Sequence, residues 1–142
     1  MLTQRPYPGL STPGYGHSVA SVWALEDLRH GSTLLEVCSM MDPDGISETI
    51  FLHNLGTVEL PGFPQTKPEY YQARNELLES SILTQDGADG KLFVHRLVQD
   101  AARMRLSNPR FREVAMTSVA LISALWKLED FTWRHGTSRW AI

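Results

Sequence analysis

Few positions in this sequence have the residue types and spacing to do chemistry, and His95 stands foremost among them. In Lys91 to Leu106, KLFVHRLVQDAARMRL, Leu92 and Val94 alternate with their neighbours as in a half-buried strand. Val94, Leu97, Val98, Ala101 and Met104 then recur at helical spacing, so the period changes at His95. A histidine at such a junction has a fixed backbone and a ring whose direction the fold dictates, which suits a ligand sensor. A satisfied histidine at a packed corner has the same signature. The other histidines, His17, His30, His53 and His135, are scattered, and no His or Cys pair has the i, i+3 or i, i+4 spacing of a metal site. Cys38, the single cysteine, has no local feature to lower its pKa, and no serine sits in a Gly-x-Ser-x-Gly elbow. Gly14 and Gly16 lead to His17 and Ser18 rather than to a lysine at a helix start, so no phosphate cradle is encoded. Asp42-Pro43-Asp44-Gly45 offers alternating oxygens and a glycine. It lacks the further acidic or amide residue and the closing glutamate of a calcium loop. The chain is therefore expected not to be an autonomous enzyme and to hold neither a metal nor a cofactor by itself.

The totals set the frame for those residues. With 142 residues the chain suits one domain, or one domain plus a helical fragment, and a chain of this size buries roughly 70% of its unfolded surface. It is 42% hydrophobic and 20% charged with a formal net charge of −3, which gives no global signal for nucleic acid or an anionic membrane. Cys38 lies in the apolar run LLEVCSMM, as a buried thiol in a reducing compartment would. The longest apolar stretch, Val114 to Trp126, is interrupted by Thr117, Ser118 and Ser123 and is too short to span a bilayer. MLTQRPYPGLSTPGYG lacks the apolar region of a signal peptide. The expectation is a soluble intracellular protein, cytoplasmic, without a membrane partner.

The elements that must position His95 follow from breakers and caps. Residues 1–17 carry Pro6, Pro8, Gly9, Pro13, Gly14 and Gly16 and read as linker. Ser18 caps a predicted helix to about His30, with Val19, Val22 and Trp23 on its buried side, and Gly31 stops it. Thr33 and Glu36 form a possible capping box for a second helix with Leu34, Leu35, Cys38 and Met41 on one face. Asp44 caps a predicted helix from Ile46 to about His53, and Asn54 to Lys67 is a long loop. Pro68 opens a helix to Ser80, with Tyr70, Tyr71, Ala73, Leu77 and Leu78 on its apolar side. Ser81–Thr84 and Lys91–Val94 flank Gln85-Asp86-Gly87-Ala88-Asp89-Gly90 and predict a hairpin.

Helices followed by a hairpin and then a helix predict a mainly α fold, a winged-helix domain over residues 18–106 with a small β-hairpin. Asn108-Pro109 opens a further helix to about Lys127, whose seam of Phe111, Val114, Ala115, Ser118, Leu121, Ile122, Leu125 and Trp126 demands a partner. LEDFTWRHGTSRWAI reads as the start of another helix, so residues 107–142 are expected to be the truncated start of an α-α, tetratricopeptide-like repeat.

Winged helices commonly bind DNA, and Lys91 to Arg112 carries a net charge of +5. The base-reading helix would precede the wing, however, and Pro68 to Ser80 carries −2 through Glu69, Glu76 and Glu79 against Arg74. Phosphates would be repelled there. The arginines are read as a solvated face or a docking face for an acidic domain, with nucleic acid as the disfavoured alternative.

In order along the chain, GYGHSVASVWALEDL, LLEVCSMMDPDGISETIF, YYQARNELLESSIL and LFVHRLVQDAARMRL resemble the region that follows the nucleotide-binding core in STAND-class NTPases of the NB-ARC type. The resemblance is narrower to a branch, frequent in filamentous fungi, that carries tetratricopeptide repeats downstream. It covers about Tyr15 to Trp133, and DPDGI and VHRLVQ are its most specific pieces. It implies a winged helix that closes over the ADP site of the resting protein and a Met-His-Asp motif whose histidine meets the β-phosphate. Val94-His95-Arg96 occupies that place, so the resemblance assigns the ADP contact to His95, with Arg96 departing from the aspartate. It also implies that the P-loop core would lie before Met1 and the repeats after Ile142. The chain is then expected to be a fragment: a non-catalytic regulatory and interaction module of a signalling NTPase, partnered by the core, the repeats and other proteins. A DNA-binding winged helix and a structural remnant without independent function are the alternatives.

Overall fold

The computed structural model describes the backbone of residues 24–136 and the side chains up to Trp126. The fold is mainly helical with a small antiparallel hairpin. A 3-10 turn, Leu25–Asp27, precedes α1 (Ser32–Cys38), α2 (Thr49–Leu52) and α3 (Lys67–Glu79). Strands β1 (Leu83–Gln85) and β2 (Leu92–Val94) follow, then α4 (Arg96–Met104) and α5 (Asn108–Gly136). The expected linker and the helix start at Ser18, with Val19, Val22 and Trp23, lie outside the described residues.

Helix α1 sits at the centre, against α3, α4 and α5. Seven residues are too few to be helical on their own, because nucleation costs more than so short a ladder returns. Packing holds it: Thr33, Leu34, Leu35, Val37 and Cys38 are all buried, so α1 is covered nearly all round rather than on one face. Such a helix cannot leave the backbone groups around its ends to water. Just before it, the Glu76 carboxylate of α3 accepts from the N–H groups of Arg29, His30 and Gly31 at 2.7–3.1 Å. Gly31 does not end a preceding helix in a left-handed turn; its φ is −93°. It is required for close approach, since a Cβ there would stand 2.7 Å from Leu77 Cγ and 2.9 Å from the Ala73 carbonyl oxygen.

Thr33 and Glu36 do not form a capping box, because Gly31 is the cap residue and makes no side-chain bond. Both instead hold Arg110 at the start of α5. Its Nε donates to Glu36 Oε1 at 2.9 Å and its Nη2 to Thr33 Oγ1 at 3.2 Å. The same Nη2 reaches the Pro61 carbonyl oxygen at 3.0 Å. Gly62, at φ +88°, lets the loop after α2 come down on Thr33, where any Cβ would collide with Oγ1.

The expected helix from Ile46 to His53 shrinks to Thr49–Leu52. Ile46 joins the sheet instead, donating its N–H to the Leu92 oxygen at 2.7 Å and accepting from the Leu92 N–H at 2.8 Å. Asp42-Pro43-Asp44-Gly45 is a turn in which Asp42 Oδ1 accepts from the Asp44 N–H. The hairpin falls one to two residues from its expected place, with Leu83 opposite Val94 and Gln85 opposite Leu92.

Helix α3 starts at Lys67, one residue before the expected opening at Pro68. Thr66 Oγ1 accepts from the Glu69 N–H, and Glu69 Oε1 reaches back to the Gln65 N–H at 2.8 Å. Tyr70, Ala73 and Leu77 are buried, while Tyr71 turns outward beneath the Arg74 guanidinium. Glu48 ties this region together: it accepts from Tyr70 Oη at 2.7 Å, Arg74 Nη1 at 2.9 Å and Gln85 Nε2 at 2.8 Å.

Helix α5 is one uninterrupted element to Gly136, where a helix ending near Lys127 and the start of another were expected. No proline or glycine stands between Arg110 and Arg134 to break it. Its seam divides. Val114, Ser118 and Leu121 are buried, whereas Phe111, Ile122 and Trp126 are exposed, as are Met116 and Val119.

Burial of the Glu76 carboxylate pushes its pKa up, but the N–H donors of His30, Gly31 and Arg29 outweigh this and hold it below the ordinary 4.5. A carboxylate with a depressed folded pKa stabilises the fold above about pH 4.5, and that contribution fades as pH falls through the folded value. Glu76→Ala should therefore lower the unfolding free energy at neutral pH by about 1–3 kcal/mol in urea titrations. Its deficit relative to wild type should narrow as the pH falls below about 4.5.

Candidate functional site

His95 occupies the single residue between β2 and α4, with extended backbone angles of φ −63° and ψ 141°. On its strand side, Val94 is buried and paired with Leu83. On its helix side, His95 is the cap: Nδ1 accepts from the Leu97 N–H at 3.1 Å. This histidine thus takes the place usually filled by Ser, Asp or Asn. The bond also selects the tautomer. With Nδ1 accepting, the neutral ring carries its proton on Nε2, and the exposed ring offers that N–H to its surroundings.

Helix α4 fixes where that N–H stands. Its buried residues are Val98, Gln99 and Ala102, while Leu97 and Met104 of the expected apolar face are exposed, Met104 to 85%. The helix is turned so that a glutamine faces inward. Gln99 Nε2 donates to the carbonyl oxygens of Cys38 at 3.1 Å and Met41 at 2.9 Å. One turn on, Arg103 donates to the Ser39 carbonyl and pairs with Asp100. Carbonyls at and beyond the end of α1, which a buried helix cannot leave unpaired, thus receive donors from α4. Gln99 and Arg103, one turn apart, dock α4 on the end of α1, and the cap residue His95 stands one turn before Gln99 and exposed.

The sequence reading reached His95 and missed Gln99 and Arg103. The signal present was the polar i+4 spacing from His95, but nothing local says that the carbonyls of Cys38 and Met41 lie opposite. Cys38 is buried, and burial pushes its thiol up to about 12, which disfavours the thiolate. Among the described residues, no three His, Cys, Asp or Glu side chains gather where they could hold a metal ion. No described helix is long and apolar enough to cross a membrane. His95 lines neither the groove of about 490 Å³ beside α5 nor the small cavity by Leu25 and Ala102.

A family model described as a domain of unknown function (DUF7779) matches residues 23–111. The chain belongs to that family. The DUF7779 match takes in every element from the 3-10 turn through α4 and ends one residue past Arg110, the side chain that fastens α5 to α1. His95, Gln99 and Arg103 all fall within it. Comparisons with curated proteins and with solved structures find no match.

The caps make separable demands on stability. Replacing Gln99 with Leu keeps the volume but strands two buried carbonyls, and should cost about 1–3 kcal/mol by urea denaturation. His95→Ala removes a cap and should cost about 1 kcal/mol, whereas His95→Asn supplies another cap oxygen and should cost only a few tenths.

Proposed function

We propose that this chain is a non-catalytic regulatory and interaction module of a STAND-type signalling NTPase, closing over the ADP site of a nucleotide-binding core, with His95 donating to a phosphate. The state of His95 carries the reading. Its Nδ1 is committed to the helix, its Nε2–H is offered outward, and its backbone is fixed between a strand and a helix. A ring N–H donated to an ionised phosphate oxygen is a charge-assisted bond, and it is removed when the module swings away. Arg96, exposed at the next position, adds a cation on the same side of the sequence motif where the resembling proteins carry an aspartate.

The order of elements supports the winged-helix part of this proposal. Helix α1, the bridging residue Ile46, α2, α3 and the hairpin follow one another, and Ile46 pairs with β2 so that β2 lies between Ile46 and β1. The outer face of α5 supports the repeat part. Phe111, Val119, Ile122 and Trp126 form an apolar stripe, Trp126 exposed to 71%, that the next helix of an array would cover.

DNA binding is the alternative, and the charges argue against it. Helix α3 exposes Glu69 and Glu79, and its Arg74 is held by Glu48. Arg103 and Arg110 of the basic stretch are engaged with α1.

The test uses the protein in which this chain is joined to its nucleotide-binding core. His95→Asn, which preserves the cap, should raise the ADP release rate by about tenfold or more. Release at the wild-type rate would overturn the proposal. The chain alone should give no heat of ADP binding in calorimetry, because one phosphate donor cannot offset the entropy of association. Duplex binding that falls steeply with salt and is lost in Arg96→Ala would favour the alternative instead.

A further inference from the structure

The groove of about 490 Å³ lies between α5 and the loop that follows α2. Its floor is the α5 face that carries Thr117, Ala120 and Ala124, three small residues at helical spacing, and Leu60 belongs to the loop wall. From Glu113 to Ala124 the helix rises roughly 17 Å, about three turns. This face is distinct from the outer stripe of Phe111, Val119, Ile122 and Trp126, none of which lines the groove. The groove's charged lining residues are Glu59 on the loop and Glu113 on the helix, with no lysine, arginine or histidine among them. Arg110 Nη1 stands 3.9 Å from Glu113, but that guanidinium is already paired with Glu36 at 2.8 Å. The wall is held in place by the Arg110 bond to the Pro61 carbonyl and by Gly62 on Thr33, so the groove is part of the packed fold.

We infer that this groove receives a basic amphipathic helix of a partner protein. Small side chains at Thr117, Ala120 and Ala124 allow a second helix axis to approach to about 8 Å. The acidic rim complements lysine or arginine on either side of an apolar stripe. The hydrogen-bond account favours a helix over an added strand. Among the described residues no strand borders the groove to pair a peptide backbone, whereas a helix satisfies its own. The inference is independent of the nucleotide reading, since neither His95 nor any residue near it contributes.

Fluorescence anisotropy with a labelled Leu/Lys amphipathic peptide of about three turns tests this on the full chain. The peptide should bind saturably, and its Leu/Glu counterpart should not. Glu59→Lys and Ala120→Gln, both at exposed positions outside the core, should each weaken binding about tenfold. Val119→Ser, on the outer stripe, should leave binding unchanged. Absence of binding, equal binding of the Leu/Glu peptide, or a loss confined to Val119→Ser would overturn the inference. So would concentration-dependent dimerisation of the chain abolished by Ala120→Gln, which would make a second copy the occupant.

Discussion

A seven-residue helix buried on nearly every side is the constraint on which this structure depends. Burying α1 gives the fold its centre, and it also takes a set of N–H and C=O groups away from water. Unpaired, each would cost as much as a good deal of the helix's packing returns. The backbone partners come from two other helices, Glu76 of α3 just before the N-terminus and Gln99 and Arg103 of α4 at the C-terminal end, while Arg110 of α5 bonds the Thr33 and Glu36 side chains along the flank. Helix α1 is thus the hub, and its neighbours are arranged by what its backbone and its two polar side chains require.

That arrangement explains the orientation of α4. Apolar burial alone would turn Leu97 and Met104 inward. The helix instead presents Gln99, and the apolar residues on the opposite edge are left exposed. The contacts of Gln99 with Cys38 and Met41 seat the helix whose first turn holds the His95 ring through the Leu97 N–H. Site and scaffold share one helix, so the candidate sensor at its cap is held by an element that the core interactions fix.

Local signals were legible in the sequence where both partners lie within a few residues. Pro68 marked the start of α3 to within a residue, the Asp/Gly turn marked the hairpin, and the change of period marked His95. Reading failed where the partner is distant in the chain. Thr33 and Glu36 have capping-box spacing, but Arg110 claims both. Ile46 suits a helix start, yet the edge of β2 takes its backbone. Gln99 and Glu76 look like surface residues until the ends of α1 are placed against them. The end of α5 failed differently: it was divided by analogy with a repeat, although its composition contains no breaker before Gly136.

The two joints on α1 are made of different chemistry. Gln99 is buried and uncharged, and even Arg103 meets a neutral carbonyl there, so the joint with α4 barely responds to ionic strength. The joint with α5 carries a full ion pair, Arg110 with Glu36, whose partial burial leaves it only weakly screened by salt. Ionic strength therefore acts directly on only one of the two joints, and there the burial of Val114 and Leu121 holds α5 to the core beside the ion pair.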